Sequence, residues 1–214
     1  MPDAAPFLAA IRAAPADDAP RLVYADWLDE RGQPERAEFI RVQCELARRE
    51  SADLRAREDE LLRQHHDAFA GPLAGPWIRY RFERGFIAAF SHKGLFWGEE
   101  GQGRRRMTTF LRFLLDGTVG GTTTTLRSDE MFVWLGRHGT SSIFAGNSGR
   151  YALDPLRMPA GLRFVLSSEG SSSTFQGAFV GSSLDLEVQI AATRQFRQRF
   201  TLVPDAIPET VMDP

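Results

Sequence analysis

The hydrophobic period of this chain changes near Trp77, and that change restricts the folds open to it. Before Trp77 the apolar residues recur at intervals of three and four; after it they alternate with polar ones. One layer of secondary structure cannot serve both periods, so the sequence predicts an α+β protein. We expect a small N-terminal helical bundle (about four helices) followed by an antiparallel β-barrel or β-sandwich. The expected boundaries are 1–76 for the helical domain, 77–106 for a connecting segment, 107–204 for the β-domain and 205–214 for a tail.

The helical half is best patterned between Asp17 and Gln43. Asp17 and Asp18 offer carboxylates to the free N–H groups of a helix start, and Pro20 fits the first turn. Val23, Tyr24, Trp27 and Leu28 then form an apolar stripe, with Asp26, Asp29, Glu30 and Arg31 on the other faces. Gly32 stands where a left-handed cap is wanted and Pro34 restarts a helix. Ala37, Ile40, Cys44 and Ala47 mark the inner face of that second helix, widened by Phe39, Val42 and Leu46. A further helix starts near Ser51, with Leu54, Leu61, Leu62 and Phe69 inward and Arg55, Glu58, Asp59 and Arg63 elsewhere, and the run GPLAGP stops it. Ahead of all three, Phe7, Leu8 and Ile11 make a short first helix ended by Pro15.

The blocks YADWLDERG and AEFIRVQ, within PRLVYADWLDERGQPERAEFIRVQ, carry a family likeness. With REDELLRQHHDAFAGPL and the FERGFI segment at Phe82–Ile87, they resemble the N-terminal repeat-companion domain of planctomycetes and myxobacteria, over about residues 7–90. The resemblance implies a small helical module with no assigned chemistry, often placed ahead of leucine-rich-type repeats. Beyond about Gly98 this chain has no leucine-rich periodicity and departs from that arrangement.

From Trp77, Ile78, Tyr80 and Phe82 alternate with Arg79, Arg81 and Glu83 as a strand; Gly85 breaks it and FIAAF offers another. Ser91–Arg106, rich in glycine and charge, reads as a loop. Strands then follow at regular spacing: Thr108–Leu115, the turn Asp116-Gly117, TVGGTTTTL, one or two helical turns at SDEMFVWLGR, GRYALD, the alternations at Leu162–Leu166 and Phe175–Phe179, Leu184–Ile190, and Phe196–Leu202. The run SSEGSSS reads as a polar turn. The DGTV turn, the short helix with Trp134, the Gly149-x-Tyr151 strand and the strand–glycine–strand finish are also similar to small lipocalin-like barrels. That likeness implies a binding or scaffold fold. In it Phe110, Trp134, Tyr151, Phe164, Phe179 and Leu186 point inward, filling the barrel or lining a small apolar cavity.

Chemistry is sparse. His65 and His66 are adjacent and diverge by about 100° on a helix, and His92 and His138 fall in glycine-containing loops, so no metal site is expected. No nucleophile elbow, phosphate loop or dinucleotide fingerprint occurs, and no cofactor is called for. Cys44, the lone cysteine, reads as a small buried hydrophobe and cannot form an internal disulfide, which fits a reducing cytoplasm. A formal net charge of −2 does not favour nucleic acid, although Arg79, Arg81, Arg84 and Arg104–Arg106 lie near Trp77, Tyr80 and Trp97. No run approaches the ~20 apolar residues of a membrane span, and the N-terminus lacks the pattern of a signal peptide.

Two expectations remain. The first is a non-catalytic interaction or adaptor module docking a protein partner, with the exposed acidic set Asp26, Asp29, Glu30 and Glu38 as its contact rim and the barrel as scaffold. The alternative is a protein that binds a small apolar ligand inside the barrel. Neither partner, ligand nor oligomeric state is legible in the sequence.

Overall fold

The computed structural model of the chain describes residues 3–71, 74, 78–92, 95–100, 107–125, 130, 133–134, 147–154, 156, 161–168, 171–180, 183–190 and 194–203. Among the described residues, four helices, α1 (Ala5–Ala13), α2 (Ala19–Asp29), α3 (Pro34–Arg48) and α4 (Ala52–Ala70), precede ten strands. β1 (Ile78–Glu83) and β2 (Phe86–His92) form a two-stranded sheet. β3 (Leu95–Glu100), β4 (Met107–Phe113), β5 (Thr118–Thr124), β6 (Ser148–Asp154), β7 (Gly161–Ser168), β8 (Ser171–Val180), β9 (Ser183–Ile190) and β10 (Arg194–Val203) follow. These eight pair in chain order, all antiparallel, and β10 returns to β3, so the β-domain is a closed barrel and not a sandwich. Closure removes the open sheet edges that a sandwich would have to protect.

Two compact units result, Met1–Ala74 with Phe82–Ala88, and Gly75–Arg81 with Ala89–Pro214. The segment expected to be a loop, Ser91–Arg106, instead ends β2 and supplies β3, because Leu95 and Phe96 both bury completely. The run SSEGSSS is likewise mostly strand: Ser167 pairs with Ser172 and Ser168 with Ser171. Hydroxyls on both faces do not prevent ladder pairing when the flanking Leu166 and Phe175 are anchored inside. The inward placement expected for Met131, Phe132 and Leu135 lies outside the described residues.

In the helical unit one cluster joins Ala25, Leu28, Ala37, Ile40 and Cys44, and a second joins Phe39, Val42, Leu46, Leu61 and Phe69. Pro34 sits in the first turn of α3, Gly32 takes φ +71°, and Ser51 caps α4 by accepting from Leu54 N–H at 3.5 Å. Val23 was expected in the α2 core stripe, yet it is 54 % exposed. The buried positions are Arg21, Ala25 and Leu28, a stripe at i, i+4 and i+7 that turns Val23 to the opposite side. Ala47, expected on the inner face of α3, is also exposed, next to the helix end at Arg48.

The tip of the β1–β2 hairpin belongs to this helical unit. Phe82 meets Phe39 edge-on at 5.2 Å, and Phe39 stacks on Phe69 at 4.5 Å. The two turn residues, Arg84 and Gly85, both have positive φ (+49° and +85°), as a two-residue hairpin turn of the I′ kind requires. A Cβ on Gly85 would lie 2.5 Å from Ile40 Cγ1, so the helix and the turn are in direct backbone contact here. Substituting Gly85→Ala adds both a strained φ and this clash. It should cost at least about 2 kcal/mol, read as a lower urea midpoint for the helical unit; an unchanged midpoint would show that the turn can move away from α3.

Candidate functional site

Three of the four acidic residues expected to form a partner rim are drawn into ion pairs between helices. Arg41 of α3 holds Asp26 (2.7 Å) and Asp29 (2.6 Å) of α2, and Arg57 of α4 grips Glu38 through two bonds of 2.7 Å. The Arg57 hydrogen bonds hold the Glu38 carboxyl below the usual carboxylate range. Only Glu30, 76 % exposed with Arg31 at 3.9 Å, keeps a loosely held charge. The surface is therefore a strip of alternating sign and not an acidic patch. Exposed pairs of this kind contribute roughly 0.2–1 kcal/mol each, against about 1.5–3 kcal/mol for burying a side chain such as Phe39. Apolar burial holds the bundle, and the strip sets its surface pattern. Val23, Asp26 and Glu30, at i, i+3 and i+7, share the outer face of α2.

A buried polar network lies beneath this surface. Asp18 was expected to cap α2, but its side chain makes no cap bond; Asp17 accepts from Ala19 N–H instead, at 2.9 Å. Asp18 is buried and accepts from Arg84 at 2.9 Å and from Arg48 at 3.1 Å, while Arg84 also donates to the Ala16 carbonyl at 2.6 Å. Gln43 accepts from Gly85 N–H at 3.0 Å and donates to Glu58, which Arg55 holds at 2.8 Å. Glu58 was placed on an outer face of α4; it is buried, and Gln43 and Arg55 are what make its burial tolerable. Arg36 completes the set, donating to the Phe69 carbonyl at 3.0 Å and lying over the rings of Phe69 and Phe86 at 5.2 and 5.6 Å. Burial pulls its guanidinium down to about 10.

These groups are structural in their geometry. The Cys44 thiol is pushed up to about 11, first by burial and then by the Asp18 carboxylate beside it, the reverse of what a nucleophilic cysteine needs. Among the described residues no three His, Cys, Asp or Glu side chains are grouped to hold a metal ion, and no helix is long and apolar enough to cross a membrane.

In the barrel, Tyr151, Phe164, Phe179 and Leu186 are buried as expected, and the ladder register puts them on one face. Phe164 stacks on Phe175 at 4.6 Å and meets Phe113 edge-on at 5.4 Å. Phe110 differs. It pairs with Trp97 and Thr122, one residue out of step with Leu111 and Phe113, so the pleat turns it to the outside of the barrel, where it is still fully buried. Trp134 is half-buried and belongs to no barrel strand.

Two contributors to the barrel core were not legible. Phe90 and His92 lie on β2, which is not a barrel strand, yet Phe90 packs on Phe113 (4.8 Å), Tyr151 (5.2 Å) and Phe179 (5.1 Å). His92, expected in a loop, is buried against Phe96 at 4.6 Å, and its Nε2 accepts from Phe113 N–H at 3.2 Å. The Tyr151 hydroxyl accepts from Phe90 N–H at 2.8 Å and lies 2.7 and 2.8 Å from the carbonyls of Phe90 and Leu114. Burial pushes it up to about 12. Alternation alone marks Tyr151 as inward; only the fold shows that its hydroxyl anchors β2.

Comparison with known proteins returns no matching family model, no matching curated protein and no matching solved structure.

Two outcomes follow from the buried network. Native protein at neutral pH should leave Cys44 unlabelled by an aromatic disulfide reagent, with full labelling in urea; rapid native labelling would contradict the seclusion of the thiol. Asp18→Ala strips a buried acceptor from two guanidiniums and should lower unfolding stability by roughly 1.5–3 kcal/mol, as read by chemical denaturation; a loss within error would reduce Asp18 to a surface charge.

Proposed function

We propose that this chain is a non-catalytic interaction module, with the helical unit as the docking element and the barrel as its scaffold. The observation that carries this reading is the outer face of α2. There Val23 is 54 % exposed, the most exposed large apolar side chain described in the helical unit, and the carboxylates of Asp26 and Glu30 stand one and two turns away, 71 % and 76 % exposed. An apolar knob bordered by the Asp26–Arg41 pair and by the loosely held Glu30 suits a partner segment that offers an apolar socket with an Arg or Lys to face Glu30. The repeat-companion likeness of YADWLDERG and AEFIRVQ supports the same reading, because it implies a helical module without chemistry of its own. A cytoplasmic setting belongs to this reading, since a single secluded cysteine suits a reducing compartment.

The alternative, an apolar ligand inside the barrel, has less behind it. Tyr151, Phe164 and Phe179 lie in ring contact with Phe90, Phe113 and Phe175, at centroid distances of 4.6–5.4 Å. Those surfaces are already occupied.

The test is affinity capture from the native host with the full chain and with the double variant V23D/E30K. Both positions are exposed, so the fold should survive, with a change in stability near or below about 0.5 kcal/mol. The expected result is a protein retained by the wild type and lost from the variant. Equal capture by both, or nothing above the resin control for either, sinks the proposal.

A further inference from the structure

Positive charge is in excess at the start of α2. The guanidiniums of Arg21, Arg48 and Arg84 meet there, and among the described residues Asp18 supplies the carboxylate bonded to them. That carboxylate serves Arg84 at 2.9 Å and Arg48 at 3.1 Å. Arg21 is left out. It is 8 % exposed, and its Nη1 donates to the Asp17 carbonyl at 2.7 Å. Its buried Nε has no hydrogen-bond partner among the described residues. A buried guanidinium held by a carbonyl keeps an uncompensated charge, and an arriving anion recovers that cost.

Neighbouring acids do not balance the site. Asp17 is exposed and accepts from Ala19 N–H, and Glu45 is held by Arg49 at 2.7 Å. Glu83, beside Arg84 in sequence, is exposed on β1 and is bonded to none of the three guanidiniums. The helix adds its own field. α2 is eleven residues long, with the positive end of its dipole here, and its N-cap residue Asp18 makes no cap bond. Donors also remain. Arg84 spends Nη1 on Asp18 and on the Ala16 carbonyl, and Arg48 spends Nε, while each guanidinium carries five N–H groups.

We propose that the start of α2 is a binding site for a phosphoryl dianion, either free phosphate or a phosphate monoester. The donors are graded by depth: the Arg48 side chain is 55 % exposed, that of Arg84 25 %, and Arg21 is buried. Arg48 receives the ligand at the surface and Arg21 meets it at the floor. Guanidinium forks match phosphate oxygens in geometry, and a tetrahedral dianion accepts from three directions where a carboxylate has one plane. Arg21 lies on the buried stripe of α2, turned away from Val23, so the site does not rest on the docking reading.

The experiment is urea unfolding and NMR titration of the full chain in inorganic phosphate, O-phosphoserine, serine or chloride at one ionic strength. Both phosphates should raise the unfolding midpoint of the helical unit above its value in chloride. They should also shift the Arg21 Nε–H and Ala19 amide signals saturably, and serine should do neither. Tighter binding of O-phosphoserine assigns the site to monoesters, and tighter binding of inorganic phosphate assigns it to the free ion. R21Q should weaken phosphate at least about tenfold, and R48Q about threefold. D18N removes the competing carboxylate and should bind phosphate more tightly, a second arm if R21Q does not fold. Absence of saturable shifts, an equal midpoint rise in R21Q and wild type, or weaker binding by folded D18N would overturn the proposal.

Discussion

The helical unit depends on how it holds a two-residue turn. Arg84 and Gly85 enter at positive φ, which an isolated arginine disfavours. The strain is offset locally. The Arg84 guanidinium reaches Asp18 and the Ala16 carbonyl ahead of α2, the Gly85 N–H reaches Gln43 on α3, and the missing Cβ lets the turn touch Ile40. α2, α3 and, through Glu58, α4 are thereby tied to one point, and the polar groups this buries are matched to one another. A network of this kind gives position more than net stability, since a fully paired buried charge does little better than an apolar substitute. The apolar clusters around Ile40 and Phe39 supply the stability; Asp18 and Gln43 decide where the turn sits.

The barrel solves a similar problem with aromatic rings. Its strands alternate, but β2 does not join the ladder, and its Phe90 and His92 still complete the core at one end. Tyr151 makes this possible by giving its hydroxyl to the backbone of Phe90, standing in for a strand neighbour. The same tyrosine joins the packed rings of Phe90 and Phe113. What an inward aromatic does in such a barrel therefore depends on its polar tip as much as on its ring.

Local pattern reads well wherever one face is wet. The β1 alternation, the caps at Gly32 and Ser51, the Glu45–Arg49 pair at 2.7 Å and the left-handed Gly117 all follow from neighbours within a few residues. It reads poorly where both faces are buried or where a charge finds a distant partner. Phe110 and Phe113 are equally hidden on opposite sides of β4, so hydrophobicity could not tell inside from outside. Asp18 looks like a helix cap and Glu58 like a solvated acid until residues 66 and 15 positions away pair with them. The arginine partners of Asp26, Asp29 and Glu38 were not legible for the same reason: Arg41 and Arg57 come from other helices.

The sequence by itself determined the class, the helical half, most of the strands and their turns, because hydrophobic period and turn chemistry act over a few residues. Tertiary structure alone decided that the barrel closes, that Leu95–Glu100 is one of its strands, and that Phe90 and His92 belong to its core. It also decided which acids stay in water and left Gln198 buried with its amide nitrogen unpartnered among the described residues. The physical reason is range: a side chain's partner is fixed by where the whole chain returns, and no local period records it.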